Sequence, residues 1–232
     1  EKDPLRIVLD EGVHEIFGYT DEYGHWKELR VTCSHITFVG KGKDQTTIRG
    51  RVKVTNQQHV TFEDLTVINP SGDGFYLVGS ETNVDLLKCI VKECGDSGID
   101  MSYGVTVTAT QCEFMENNNG VTCSDGTKAT LTDCQIHHNG VHGVQVGKDS
   151  VMDIHGEKTD IHANKGTCIR ASYFGKVNIH LPCIRTVGDS QKQVTGASIA
   201  NMNADGTFTH VVAYDDDWTE ILDAEGWWSD DE

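Results

Sequence analysis

The sequence predicts an all-β, single-domain chain wound as a parallel β-helix, a solenoid of about seven rungs with about 23 residues per rung. Three observations predict it. Two sets of positions recur with one period. Within each repeat, apolar and polar residues alternate, and no stretch between residues 50 and 185 carries a helical period. The 232 residues include 24 Gly but only 3 Pro, a composition that suits many tight bends in a regular scaffold.

The first ladder starts at Val60-Thr-Phe-Glu-Asp-Leu65 and returns at Val84–Cys89, Val107–Cys112, Ala129–Cys134 and, more loosely, around Thr159. Its steps, from Leu65 through Cys89, Cys112 and Cys134 to Thr159, are 24, 23, 22 and 25 residues. The second is a Gly followed by a mostly apolar residue: Gly74-Phe75, Gly98-Ile99, Gly120-Val121, Gly143-Val144 and Gly166-Thr167, with steps of 24, 22, 23 and 23. Antiparallel hairpins would reverse every second strand, whereas the pattern runs in one direction. A propeller blade needs about 40–45 residues. Coiling each unit once around stacks equivalent strands in parallel at roughly 4.8 Å per rung.

Apolar columns then follow: Val60/Val84/Val107/Ala129, Phe62/Leu86/Ala109/Leu131 and Phe75/Ile99/Val121/Val144. Asn117, Asn139 and Asn164 share one turn position. They are expected to supply a left-handed or bulged backbone there, with Gly, and to bridge turns through stacked amides. Residues 1–30 read as an entry segment, 31–185 as the coil, 186–214 as a terminal rung or cap, and 215–232 as an acidic tail.

Charge divides along the same line. The chain is −17 overall, yet residues 215–232 hold nine acidic residues and no Lys or Arg, together with Trp218, Trp227 and Trp228. The body is only mildly acidic and shows no basic stripe, which argues against nucleic acid and anionic lipid as partners. No apolar run reaches 18 residues. Glu1-Lys2-Asp3-Pro4 does not look like a signal peptide, and without an initiator Met it says little about a precursor. A tail of acids and tryptophans suits either capping the open end of the coil or docking on a partner.

Of the 8 Cys, Cys89, Cys112 and Cys134 fall in one interior column, and Cys123 aligns with Leu77, Met101 and Val146. Such slots use Cys as a small buried hydrophobe. Free stacked thiols favour a reducing, intracellular compartment, and with no Cys-x-x-Cys pair a zinc knuckle is not expected.

The run Arg6-Ile-Val-Leu-Asp-Glu-Gly-Val-His-Glu, the run His35-Ile-Thr-Phe-Val-Gly-Lys-Gly and the pattern Cys-x-Phe-x-x-Asn-x-x-Gly-Val at Cys112–Val121 resemble the right-handed parallel β-helix superfamily, the pectate-lyase-like fold. Within it the chain is similar to repeat modules of carbohydrate-binding and sugar-hydrolase type that also occur in some F-box proteins. The resemblance covers about residues 5–185 and implies a right-handed coil, with any acids, bases or calcium ligands on one outward face. The Asn-Thr-Asp, Gly-His-Gly and Asp-Pro-His-Glu signatures of polygalacturonases and alginate epimerases are absent from this sequence.

Two residues after each marker Gly come Tyr76, Asp100, Thr122, Gln145 and Cys168; four after come Val78, Ser102, Ser124, Gly147 and Arg170. Asp100 and Arg170 then share a face three rungs apart, about 14 Å at the inter-strand spacing. Asp96 with Asp100 is the tight acidic group. A second outward set is Glu63, Asp85, Thr108, Thr130 and Asp153, where Glu63 and Asp85 on adjacent rungs are placed to hold a cation. His137 and His162 share a column near His138 and His142, and read as surface histidines with no carboxylate fixed beside them rather than as metal ligands. Thr-x-Thr around Thr106–Thr110 does not read as a flat threonine array, because neighbouring rungs do not repeat it.

These residues favour a non-catalytic binding or assembly scaffold for a protein or glycan, with no cofactor or metal. Tyr76, Asp96, Asp100, Thr122, Gln145 and Arg170 are the candidate binding residues of the coil, and Trp218, Trp227 and Trp228 those of the tail. The alternative is a polysaccharide lyase or epimerase in which Asp100, Asp96 and Arg170 take part.

Overall fold

The computed structural model of the chain describes residues 5–16, 28–180, 182 and 191–213. These residues form a parallel solenoid of about seven turns, with three sheets along its sides. Sheet A has ten strands, from Leu5–Val8 to Phe208–Ala213; sheet B has seven, from Gly12–Glu15 to Asp160–His162; sheet C has eight, from Glu28–Val31 to Lys192–Thr195. A representative rung runs Thr106–Thr110 in sheet A, Glu113–Met115 in sheet B and Asn119–Cys123 in sheet C. Sheet A ends differently from the rest. Its last pair, Ser198–Met202 with Phe208–Ala213, is antiparallel, and this hairpin puts a reversed strand on the edge of the parallel stack.

The apolar columns run as the repeat predicts. Val60, Val84, Val107 and Ala129 are successive partners in sheet A, and Phe75, Ile99, Val121 and Val144 in sheet C. All eight are buried. Phe38 stacks on Phe62 with ring centroids 4.9 Å apart, and Phe75 meets Phe62 edge-on at 5.0 Å. Cys89, Cys112, Cys123 and Cys134 are buried free thiols in this column of side chains.

Each corner has a local cause. Between sheets A and B, the residue before each buried Leu65, Cys89, Cys112 and Cys134 is left-handed: Asp64, Lys88, Gln111 and Asp133, with φ of 52–55°. Between sheets B and C it is Glu93, Glu116, His138 and Ala163, with φ of 52–57°. These two corners each use one left-handed residue per rung, nearly all polar side chains that project away from the core, and the corner from sheet C back to sheet A adds others such as Tyr103 and Gly104.

This corrects the expectation for the asparagines. Asn117, Asn139 and Asn164 each follow the left-handed residue and have no positive φ themselves. Their role is the amide ladder. Asn139 Oδ1 accepts from Asn117 N at 3.0 Å, and Asn164 Oδ1 accepts from Asn139 N at 3.0 Å and from Asn139 Nδ2 at 2.9 Å. The marker glycines are not conformational either. A Cβ on Gly74, Gly98, Gly120 or Gly143 would lie 2.5–2.7 Å from the carbonyl oxygen of the equivalent residue on the next rung. Gly is required there because successive backbones approach too closely for a side chain.

Two registers differ from the sequence reading. Val144 pairs with Ile169, so Gly143 stands opposite Cys168, and Gly166-Thr167 is a false match to the marker. Arg170 consequently pairs with Gln145, two positions from where the repeat put it. In sheet A, Glu63 pairs with Leu87 while Asp85 pairs with Thr61, so Glu63 and Asp85 sit diagonally, two residues apart along the strand. The rung after Thr106–Thr110 does repeat its threonines: Thr108 faces Thr130 and Thr110 faces Thr132. Among the described residues, no helix is long and apolar enough to cross a membrane.

Candidate functional site

The outward face of sheet C gathers the coil residues that the sequence singled out. Corrected for register, one unbroken column reads Arg30, Lys53, Tyr76, Asp100, Thr122, Gln145, Arg170 and Gln193, each paired with the next. Side chains of alternate residues in a strand share a face, so the inward neighbours Phe75, Ile99, Val121 and Val144 anchor the column in the core. Asp96 lies beside this column, exposed in the turn that leads into the strand Ser97–Ser102.

A second line of groups flanks the column at the corner where sheet C begins: Asp73, Ser97, Asn119, His142 and Thr167. They are linked rung to rung. Ser97 N donates to Asp73 Oδ1 at 3.1 Å, His142 N donates to Asn119 Oδ1 at 3.2 Å, and Thr167 Oγ1 lies 2.8 Å from His142 Nδ1. Two of them also reach the column residue of the next rung. Ser97 Oγ is 3.0 Å from Thr122 Oγ1, and His142 Nε2 is 3.4 Å from Arg170 Nη1. By the same diagonal, Asp73 comes close to Asp100.

That pairing sets the electrostatics. Burial, reinforced by the charges of Asp100 and Asp96, pushes the Asp73 carboxyl up to about 6. Burial and then Asp96 raise Asp100 as well, and burial and then Asp100 raise Tyr76. Burial, helped by the Arg170 charge, lowers His142 and so disfavours its protonated form. Asp73 was missed in the sequence because it precedes the marker Gly and meets its partner only across rungs.

The N-terminal end of the column is cationic. Arg51, next to Lys53 on the same strand face, is buried against Glu28, with Nη2 2.6 Å from Oε2, and its guanidinium lies 5.0 Å from the Tyr76 ring centroid. Lys53 Nζ is 5.5 Å from the same centroid. Arg30 also pairs with Glu28. Arg30, Val31, Thr32, Lys53, Thr55 and Gln57 line a shallow depression of about 290 Å³ here. At the other end, Nε of Arg170 is buried and makes no hydrogen bond within the described residues.

Elsewhere, the His137–His162 column does carry carboxylates, contrary to the sequence reading. His137 Nε2 is 3.0 Å from Glu113 Oε1, and Asp160 Oδ2 is 3.4 Å from His162 Nδ1. His137 Nδ1 also meets His138 Nδ1 at 2.7 Å, so both nitrogens of His137 are engaged by protein groups. His142 belongs to sheet C and not to this cluster. Trp218, Trp227 and Trp228 lie outside the described residues.

A model of the right-handed β-helix region matches residues 50–210. Among solved structures, pectin methylesterase from Yersinia enterocolitica superposes with a TM-score of 0.51 at 12% identity, covering 89% of this chain and 81% of that one. A likeness of that degree is one of fold. No curated protein matches the sequence.

Proposed function

The chain belongs to the right-handed β-helix family, and we propose that within it this protein binds an extended glycan along the outward face of sheet C. The observation that carries the reading is the unbroken column from Arg30 to Arg170. It offers one polar or aromatic group per rung, at roughly 4.8 Å intervals, on a rigid support. Tyr76 supplies a ring for a sugar face, Thr122 and Gln145 supply hydroxyl and amide partners, and cations flank both ends. The buried Nε of Arg170 is a donor that a ligand oxygen would satisfy. The tail with Trp218, Trp227 and Trp228 is a second candidate contact surface, for a protein or a glycan.

Affinity electrophoresis against neutral and uronate-bearing polysaccharides tests the reading. Tyr76→Ala is expected to weaken retention of the bound polymer about tenfold, equivalent to about 1.4 kcal/mol. Thr108→Ala, on sheet A, is expected to leave it unchanged. Equal retention of wild type, Tyr76→Ala and Arg170→Ala on every polymer that binds would remove sheet C from the proposal.

One observation favours a second reading, acid–base chemistry on the bound glycan as in a lyase or epimerase. Asp73 titrates at about 6 beside Asp100, which places a carboxyl where it exchanges a proton near neutral pH. As a general base it must be ionised. Turnover is then expected to rise with pH through about 6, and Asp73→Asn is expected to abolish that limb. A limb that persists in Asp73→Asn rules out this residue as the base, and an absence of turnover on bound polymers leaves the binding reading alone.

A further inference from the structure

Asp153 and His155 stand two residues apart on the strand Val151–His155 and so project from one face of sheet A. The next strand, Lys176–His180, brings Asn178 opposite Asp153 and His180 alongside His155. The imidazoles of His155 and His180 stack with centroids 3.9 Å apart and planes 15° from parallel. His180 Nε2 lies 2.8 Å from Asp153 Oδ1, and Asn178 Nδ2 donates to the same oxygen at 3.0 Å. One ligand atom from each of Asp153, His155 and His180 lies within 4.8 Å of the other two. All three side chains are half-buried.

We propose that Asp153, His155 and His180 form a binding site for a divalent transition-metal ion of the zinc class, which bridges two adjacent strands of the parallel stack. Two imidazoles and one carboxylate are a donor set that zinc accepts, with water in the fourth position. Zinc–ligand bonds of about 2.0–2.1 Å at tetrahedral angles place ligand atoms about 3.4 Å apart. Each lone pair lies in the plane of its ring, so binding requires the stacked imidazoles to turn from parallel until both point at the ion. Asn178 is the orienting group, since its amide fixes the carboxylate from the opposite strand. A hard cation such as calcium or magnesium prefers more oxygen ligands than this site offers. The site stands on sheet A and does not depend on the glycan reading of sheet C.

Calorimetric titration of the metal-free chain with Zn²⁺ tests it, with His137→Ala as the background that removes the other histidine column. One equivalent is expected to bind in that background. Affinity is expected to fall at least tenfold in Asp153→Asn and the equivalent to vanish in His180→Ala, while Mg²⁺ and Ca²⁺ do not compete. Because a variant can lose its fold, the ring-proton resonances of His155 and His180 are followed in the unaltered protein. They are expected to move together at less than one equivalent of Zn²⁺. Full zinc binding by His180→Ala in the His137→Ala background, or movement of the His137, His138 and His162 rings alone, would overturn the proposal.

Discussion

Replacing Gly120 by alanine is expected to lower stability by about 3 kcal/mol or to abolish folding, although a single methyl is added. The new Cβ would lie 2.5 Å from Gly143 O, 2.8 Å from Ile136 Cγ2 and 3.0 Å from Asn139 Nδ2. Gly143 O cannot retreat freely, since it accepts the ladder hydrogen bond from Val121 N at 3.0 Å. Relief therefore requires two rungs to separate at a corner where a buried amide and an apolar side chain close the remaining space. Overpacking of a dense interior costs about 1–3 kcal/mol, and a weakened backbone hydrogen bond adds about 1 kcal/mol. Gly126→Ala is the control. Its Cβ would meet nothing within 4 Å, although its φ is +75°, so only the left-handed backbone opposes the substitution, at about 1–2 kcal/mol. Urea unfolding of the two variants is expected to rank them in that order. Equal midpoints would mean that the rungs yield at the corner, and that the marker glycine is not a packing requirement.

The ease of reading this sequence follows from the same geometry. Where rungs are the same length, residues stack on their own repeats, and the interior columns through Phe62, Phe75 and Cys112 are legible by spacing alone. The repeat loses its regular spacing where a corner grows. Between sheets A and B the last full rung carries extra residues around Gly156, whose φ of +91° turns the chain there. The two ladders disagreed at that rung, one stepping 25 residues and the other 23, and Gly166 in a turn imitated the marker. Arg170 was thereby displaced from the column it completes. Asp73 escaped for another reason. Its coupling to Asp100 runs diagonally across a corner, and a search down aligned positions cannot see diagonal neighbours. His180 lies beyond the last marker glycine, so no period pointed to its stacking on His155.

The column of asparagines should be the most sensitive polar feature of the coil, and Asn139→Ala is expected to cost about 3–4 kcal/mol. Asn139 is fully buried, and every polar atom of its side chain is used. Oδ1 accepts from Asn117 N, and Nδ2 donates to Phe114 O at 3.1 Å and to Asn164 Oδ1 at 2.9 Å. Alanine would leave the amide of Asn117 and the carbonyl of Phe114 buried without these partners, at about 1–3 kcal/mol for each unsatisfied group. Asn139→Asp separates hydrogen bonding from size. A carboxylate can still accept from Asn117 N, but it cannot donate, and it would face Phe114 O and Asn164 Oδ1 with like partial charge. Aspartate is therefore expected to rescue little, whereas a role of mere volume predicts that it rescues fully. Because each rung touches only its neighbours, the damage should also be local. Hydrogen exchange of the Asn117 amide is expected to accelerate far more than that of amides around Phe62, two rungs away. Uniform acceleration along the coil would mean that the ladder acts on the stability of the whole molecule and not on the joint between adjacent rungs. Adding Asn117→Ala removes a different bond, the one from Cys94 N to Asn117 Oδ1, so any departure of the double variant from the sum of the two single changes reports coupling between adjacent rungs of the ladder.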